Sequence, residues 1–258
     1  MKIKDVIATL EVFAPLPLQD EYDNAGLQVG LTEAEISGAL LCLDVTEQVL
    51  AEAVDKGYNL VIAHHPLLFR PLRQLSNTTQ VERCVRYAVI NDLTIYAAHT
   101  NLDNAVGGVN YDLASRLGLQ DVSFLKHNDA ESGSGTIGML SYPMTSYDFV
   151  KRVKELMVVD CVMCNALLER PISKVALCGG AGDFLLGEAI TRGADVFITG
   201  EMHYHQYFGH EQEIQIIVAG HYQTEHHVPA LLQKMLAQKH PELPTSITTV
   251  NTNPIICL

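Results

Sequence analysis

Apolar residues at positions 3, 6, 7, 10 and 13 recur at helical spacing, so the pattern predicts a helix over Ile3 to Phe13, stopped by Pro15 and Pro17. The next ten residues, Glu-Tyr-Asp-Asn-Ala-Gly-Leu-Gln-Val-Gly at 21–30, are turn-rich and then strand-like. Unbroken apolar runs follow at Ala39 to Leu43, Leu60 to Ala63 and Leu93 to Ala98. Such runs have the pattern of strands buried on both faces of a parallel sheet covered by helices. Asp44 ends the first run, and Thr46 can cap a helix reaching Lys56. A further helix is expected from about 79 to 90, and another from Gly107-Gly108 to near Gly118. Residues 120–135, rich in Asp, Asn, Ser and Gly with little periodicity, read as a linker. Beyond them come a strand near Thr136 to Leu140, a helix from about Ser146 to Met157, and an apolar run from Cys161 to Leu168.

The chain then repeats itself. Shifted by 136 residues, Ile36 to Ile62 falls on Ile172 to Ile198 without a gap, with nine identities that include Cys42/Cys178 and Gly57/Gly193. Each half therefore holds a strand, a helix and a strand. With an offset of 122 the match resumes: Ile95 to Asp103 falls on Ile217 to Glu225. A histidine leaves the strand in each half, and a carboxylate follows four residues later. In a helix those two positions share a face. The second strands differ, since His64-His65 is matched by Gly200-Glu201.

Composition narrows the class. With 48% hydrophobic and 18% charged residues the chain is globular, and a formal net charge of −13 disfavours nucleic acid or anionic membranes as partners. The six cysteines fall mostly in apolar runs, and no stretch of 18 apolar residues or signal peptide occurs, which points to a reducing cytoplasmic compartment.

His64, His65, His99, Asp103, His221 and Glu225 stand at predicted strand ends and offer four imidazoles and two carboxylates. Six such groups exceed the needs of one four-coordinate zinc, so the set predicts two divalent ions about 3.5–4 Å apart, a hydrolytic arrangement. Bridging falls to a carboxylate, for which Glu225 is favoured. Mixed nitrogen and oxygen ligands suit zinc, manganese, iron, cobalt or nickel. The alternative, surface groups unrelated in space, is weakened by the twofold recurrence of the histidine-to-acid spacing. Other signals are slighter. Cys161-x-x-Cys164 has no second pair and reads as buried core. Gly179-Gly180-Ala181-Gly182 suits either anion binding by backbone amides or a tight turn. His203 and His205, with Glu201, can serve beside the site or lie on the surface, and His127, His210, His226, His227 and His240 read as surface residues.

Taken together, the segment at 21–30, Leu-Asp-Val-Thr at 43–46, Ala-His-His-Pro at 63–66, His-Thr-Asn-Leu-Asp at 99–103, Thr-Gly-Glu-Met-His-Tyr-His at 199–205, Gly-His-Tyr-Gln-Thr-Glu at 220–225 and the closing Asn-Pro-Ile resemble the NIF-three-like family. Its bacterial members are often named GTP cyclohydrolase 1 type 2 homologues. The resemblance implies an α/β fold of two interlinked, duplicated lobes with mixed sheets flanked by helices. It also implies a dinuclear metal centre and a toroidal homohexamer. The lobes are expected at 1–125 and 126–258, the C-terminal segment able to return to the first, without the mid-chain domain some members insert. By this resemblance His64, His65, Asp103, His221 and Glu225 match the metal ligands, with His99 close by. The functional expectation is a metal-dependent hydrolase of a nucleotide-like or phosphorylated small molecule, in which His99 and Glu201 transfer protons. The rival is a non-enzymatic hexamer that stores metal or docks partner proteins.

Overall fold

A computed structural model describes residues 1–256; Cys257, the sixth cysteine, lies outside them. Its strands are β1 (Gly26–Val29), β2 (Ala39–Cys42), β3 (Leu60–Ala63), β4 (Thr94–Ala97), β5 (Gln120–His127), β6 (Gly133–Met144), β7 (Met163–Cys164), β8 (Ile172–Cys178), β9 (Val196–Thr199), β10 (Gln215–Val218) and β11 (Thr245–Ile247). Its α-helices are α1 (Ile3–Phe13), α2 (Glu47–Asp55), α3 (Gln80–Ile90), α4 (Thr100–Asp103), α5 (Val109–Arg116), α6 (Ser146–Met157), α7 (Leu186–Thr191), α8 (His221–Glu225) and α9 (Val228–Lys239). Thr46, Thr79 and Thr145 cap α2, α3 and α6, each hydroxyl accepting from the backbone N–H three residues on. Among the described residues no helix is long and apolar enough to cross a membrane.

Two compact units result. Met1 to Leu102 and His227 to Ile256 form the first, and Asp103 to His226 the second. The boundary falls inside α4 instead of at the expected 125/126, because residues 120–135 are no linker. β5 and β6 pair antiparallel there, from Gln120 opposite Met139 to His127 opposite Gly133. Polar residues at exposed strand positions hide this strand from a composition reading; only Phe124 and Leu125 are buried along β5.

In the first unit the sheet order is β1-β4-β3-β2-β11, with β1 antiparallel and the rest parallel. Every residue of β2, β3 and β4 is buried, as the unbroken apolar runs require. Leu40, Val61 and Ile95 pack with Leu50 of α2 and Cys84 of α3 in one cluster, and α9 packs on β2 and against α1. The C-terminal segment returns to this sheet, β11 beside β2.

The second unit has the order β5-β6-β8-β9-β10-β7, its central β8, β9 and β10 parallel. Alternate side chains feed two cores, Val175 and Ile198 on the side of Phe149 and Val153, and Ala176 and Phe197 on the side of Leu185 and Ala189.

The duplication survives in the ladders. Leu41 pairs with Ile62 and Leu177 with Ile198, both partners shifted by 136. Gly57 and Gly193 end the intervening helices at φ +69° and +66°, left-handed positions that favour glycine. The third strands obey a different count. Thr94 pairs with Leu60, and Gln215 with Val196, an offset of 121. One extra residue must therefore enter before the second-half histidine, and Gly220 at φ +103° takes it up. His99 consequently precedes α4, whereas His221 is the first residue of α8.

Candidate metal centre

His64 and His65 prolong the ladder by one step beyond β3. His64 N donates to Cys42 O (3.2 Å) and His65 N to Leu43 O (3.0 Å). Their side chains therefore emerge at the carboxyl ends of parallel strands, where open α/β sheets present ligand sites. His99 leaves β4 alongside. The ring centroids lie 4.9 Å apart for His64 and His65, 5.3 Å for His64 and His99, and 5.5 Å for His65 and His99. One ligand atom of each falls within 4.8 Å of the others, close enough for a shared cation.

Each ring is held by an acceptor. His64 Nδ1 lies 2.7 Å from Ala98 O, His65 Nδ1 2.7 Å from Asp44 Oδ1, and His99 Nδ1 2.7 Å from Asp23 Oδ1. Carbonyl and carboxylate oxygens only accept, so these contacts place the proton on Nδ1 and the lone pair on Nε2. Asp44 is steadied in turn by Thr252 Oγ1 at 2.7 Å. Asp23 also receives the Thr100 hydroxyl (2.5 Å) and backbone N–H (3.1 Å). Burial alone would raise the Asp23 carboxyl. The bonds from His99 and Thr100 outweigh it and hold the group down at about 2, so it is an anion at neutral pH.

The second unit repeats the device. His221 Nδ1 meets Glu201 Oε1 at 2.7 Å, and its Nε2 lies 3.1 Å from Glu225 Oε2, one helical turn on. At that separation the two atoms can share a cation about 2.0–2.2 Å from each. Glu225 is buried, and glycines shape its surroundings. A Cβ on Gly180 would stand 2.4 Å from Glu225 Oε1, and one on Gly200 would stand 2.7 Å from His221 Cα. Thr224 Oγ1 accepts from Gly180 N at 3.0 Å.

The structure thus gathers His64, His65 and His99 in one unit and His221, Glu225 and Glu201 in the other. Asp103 closes α4, four residues after His99. Asp23 and Asp44 are the partners of His99 and His65 that sequence reasoning did not assign; their signal was an aspartate in the turn at 21–30 and one at the end of the strand beside the histidine pair. Other readings change. The three glycine amides of this Gly179–Gly182 segment are committed internally, Gly179 N to Asn110 Oδ1 (2.9 Å), Gly180 N to Thr224 Oγ1 (3.0 Å) and Gly182 N to Thr199 Oγ1 (3.0 Å), which favours the tight turn over the anion cradle. Cys161 and Cys164 are exposed rather than core, because the apolar run forms only a two-residue edge strand. His227, read as a surface residue, is buried. His203 and His205 lie on an exposed turn, His203 Nδ1 bonded to Asp183 at 2.7 Å.

These features define an α/β protein with carboxylate-backed histidines at its strand ends. The chain belongs to the Duf34/NIF3 (NGG1p interacting factor 3) family, whose model matches residues 1–254. It is 34% identical over 240 residues to a GTP cyclohydrolase 1 type 2 homolog of Clostridium acetobutylicum, covering 92% of this chain and 90% of that one. A homologue of the same name from Lactococcus lactis is 36% identical over 214 residues, 82% of this chain and 81% of its own. Among solved structures, Staphylococcus aureus protein SA1388 superposes with a TM-score of 0.91 at 26% identity, covering 100% of this chain and 99% of that one. Reduced HcgD from Methanocaldococcus jannaschii gives 0.82 at 27% identity, covering 97% and 98%.

Proposed function

We propose that the chain binds two divalent ions and is a metal-dependent hydrolase of a nucleotide-like or phosphorylated small molecule. His64, His65, Asp103, His221 and Glu225 are the ligands in this reading, with zinc, manganese, iron, cobalt or nickel as the metal. The observation that carries it is the uniform orientation of four histidines, each with Nδ1 2.7 Å from an acceptor. Metal-ligating imidazoles are held this way, since the bond at one nitrogen fixes the tautomer and raises the basicity of the other.

Divalent ions would supply Lewis acidity and lower the pKa of water toward neutrality. The protein's own groups do the rest. Glu201 orients His221 and can accept a proton from it, Asp23 orients His99, and Glu225 would hold the metal as a carboxylate ligand. His99 and Glu201 are the proton-transfer groups. GTP ring opening, the reaction in the relatives' name, is one hydrolysis such a site would serve. A homohexamer in the cytoplasm completes the reading, by resemblance to the family.

Elemental analysis of reconstituted protein tests it first: about two divalent ions per chain are expected, fewer in His65→Ala with the fold intact. Full occupancy in that variant removes His65 from the ligand set. A nucleotide and phosphoester screen follows, in which turnover must vanish in Glu225→Ala. Intact assembly without metal and no turnover on any compound would instead favour a non-enzymatic metal-binding or docking protein.

A further inference from the structure

Two aromatic rings stand in solvent beside the histidine group of the first unit. Tyr22 is 65% and Phe69 44% exposed. They meet edge to face with centroids 6.3 Å apart and planes at 65°, and Phe69 meets His99 edge-on at 6.2 Å and 86°. Neither ring is on a loose tether. Leu68, which precedes Phe69, donates its N–H to Gln28 Oε1 (3.0 Å), and its carbonyl accepts from Asn24 Nδ2 (2.7 Å). Asp23 of the same turn holds His99. The turn that orients the imidazole thus also fixes the backbone carrying both rings.

Arg70 follows immediately, with Arg73 beyond it. Both are exposed, and among the described residues neither guanidinium has an ion pair or hydrogen-bond partner. In a chain of net charge −13, an anionic ligand is repelled at long range and needs local cations. Guanidinium is the side chain best matched to phosphate, and exposed fixed aromatic rings are the usual platform for a nucleobase.

We infer that Tyr22 and Phe69 form a stacking platform for the planar base of a nucleotide, and that Arg70, aided by Arg73, takes its phosphate. This rests on the reading above that the histidine group is the reaction site, and it selects nucleotides from the substrates that reading allows.

Calorimetric titration of the full-length metal-reconstituted protein with GMP, guanosine and ribose 5-phosphate tests it, metal content being measured on the same samples. GMP should bind tighter than either fragment. Tyr22→Leu and Phe69→Leu should each weaken GMP and guanosine roughly 10-fold while leaving ribose 5-phosphate unchanged, and Phe69→Tyr should restore binding. Arg70→Gln should weaken GMP and ribose 5-phosphate and spare guanosine. Both rings are exposed, so folding is expected to persist, which circular dichroism checks. GMP that fails to bind, or binds equally to wild type and Phe69→Leu, overturns the inference even if two ions are found. Conversely, protein that holds no metal but shows this split keeps the platform and sinks the hydrolase reading.

Discussion

Gly180→Ala isolates the contribution of one crowded wall to the Glu225 carboxylate. Gly180 has φ +59°, and its new Cβ would lie 2.4 Å from Glu225 Oε1 and 3.3 Å from His221 Nε2. Two costs follow. The left-handed backbone alone costs about 1–2 kcal/mol for alanine. Relief of the contact requires the carboxylate to retreat by about 1 Å to reach normal van der Waals separation. Gly193→Ala supplies the control, since Gly193 has φ +66° and nothing within 4 Å of its Cβ. Both variants should lose stability, about 2–8 °C in Tm at 2–4 °C per kcal/mol. Only Gly180→Ala should lose metal, because ligand distances tolerate about 0.2 Å. A shift of 1 Å should then weaken binding at least 10-fold, an estimate in line with the loss on misplacing a reacting group. The assay is thermal unfolding with and without zinc, together with zinc titration against a chromogenic chelator. Equal zinc affinity in the two alanine variants would refute the assignment of Glu225 as a ligand held in that position.

Two further outcomes follow from the geometry. Glu52 clamps the C-terminal segment, accepting from the Thr248 hydroxyl (2.5 Å), the Thr249 N–H (3.1 Å) and the Thr249 hydroxyl (3.2 Å), so Glu52→Gln should cost about 1–2 kcal/mol in urea unfolding. Burial opposes ionisation there, but these bonds prevail and lower the carboxyl below its ordinary value; the wild-type advantage over Glu52→Gln should therefore be full above about pH 4.3 and fade as the pH falls further, whereas a constant difference from pH 7 to 3 would remove the carboxylate from the clamp. Thiol mapping by mass spectrometry after brief alkylation of native protein should mark Cys161 and Cys164 and spare Cys42, Cys84 and Cys178 until denaturant is added; burial raises Cys84 to about 11, and native labelling of Cys84 would contradict its place in the core.

Much of this molecule is written in local pattern. Four-residue apolar runs announced β2, β3 and β4 because a strand buried on both faces needs no polar side chain. Threonines marked the helix starts because their hydroxyls satisfy N–H groups that no helix can satisfy for itself. The four-residue spacing in the second half brought His221 beside Glu225, since one turn of α8 joins positions four apart. Tertiary structure decided what depends on partners distant in the chain. It made a hairpin of residues 120–135, because pairing between β5 and β6 compensates for polar composition. It committed the amides of Gly179, Gly180 and Gly182 to Asn110, Thr224 and Thr199, acceptors from other elements. It also supplied Asp23 and Asp44, which meet His99 and His65 from 76 and 21 residues away. Spacing encodes which side chains share a face of one element, whereas a partner from another element is set by how separate elements pack.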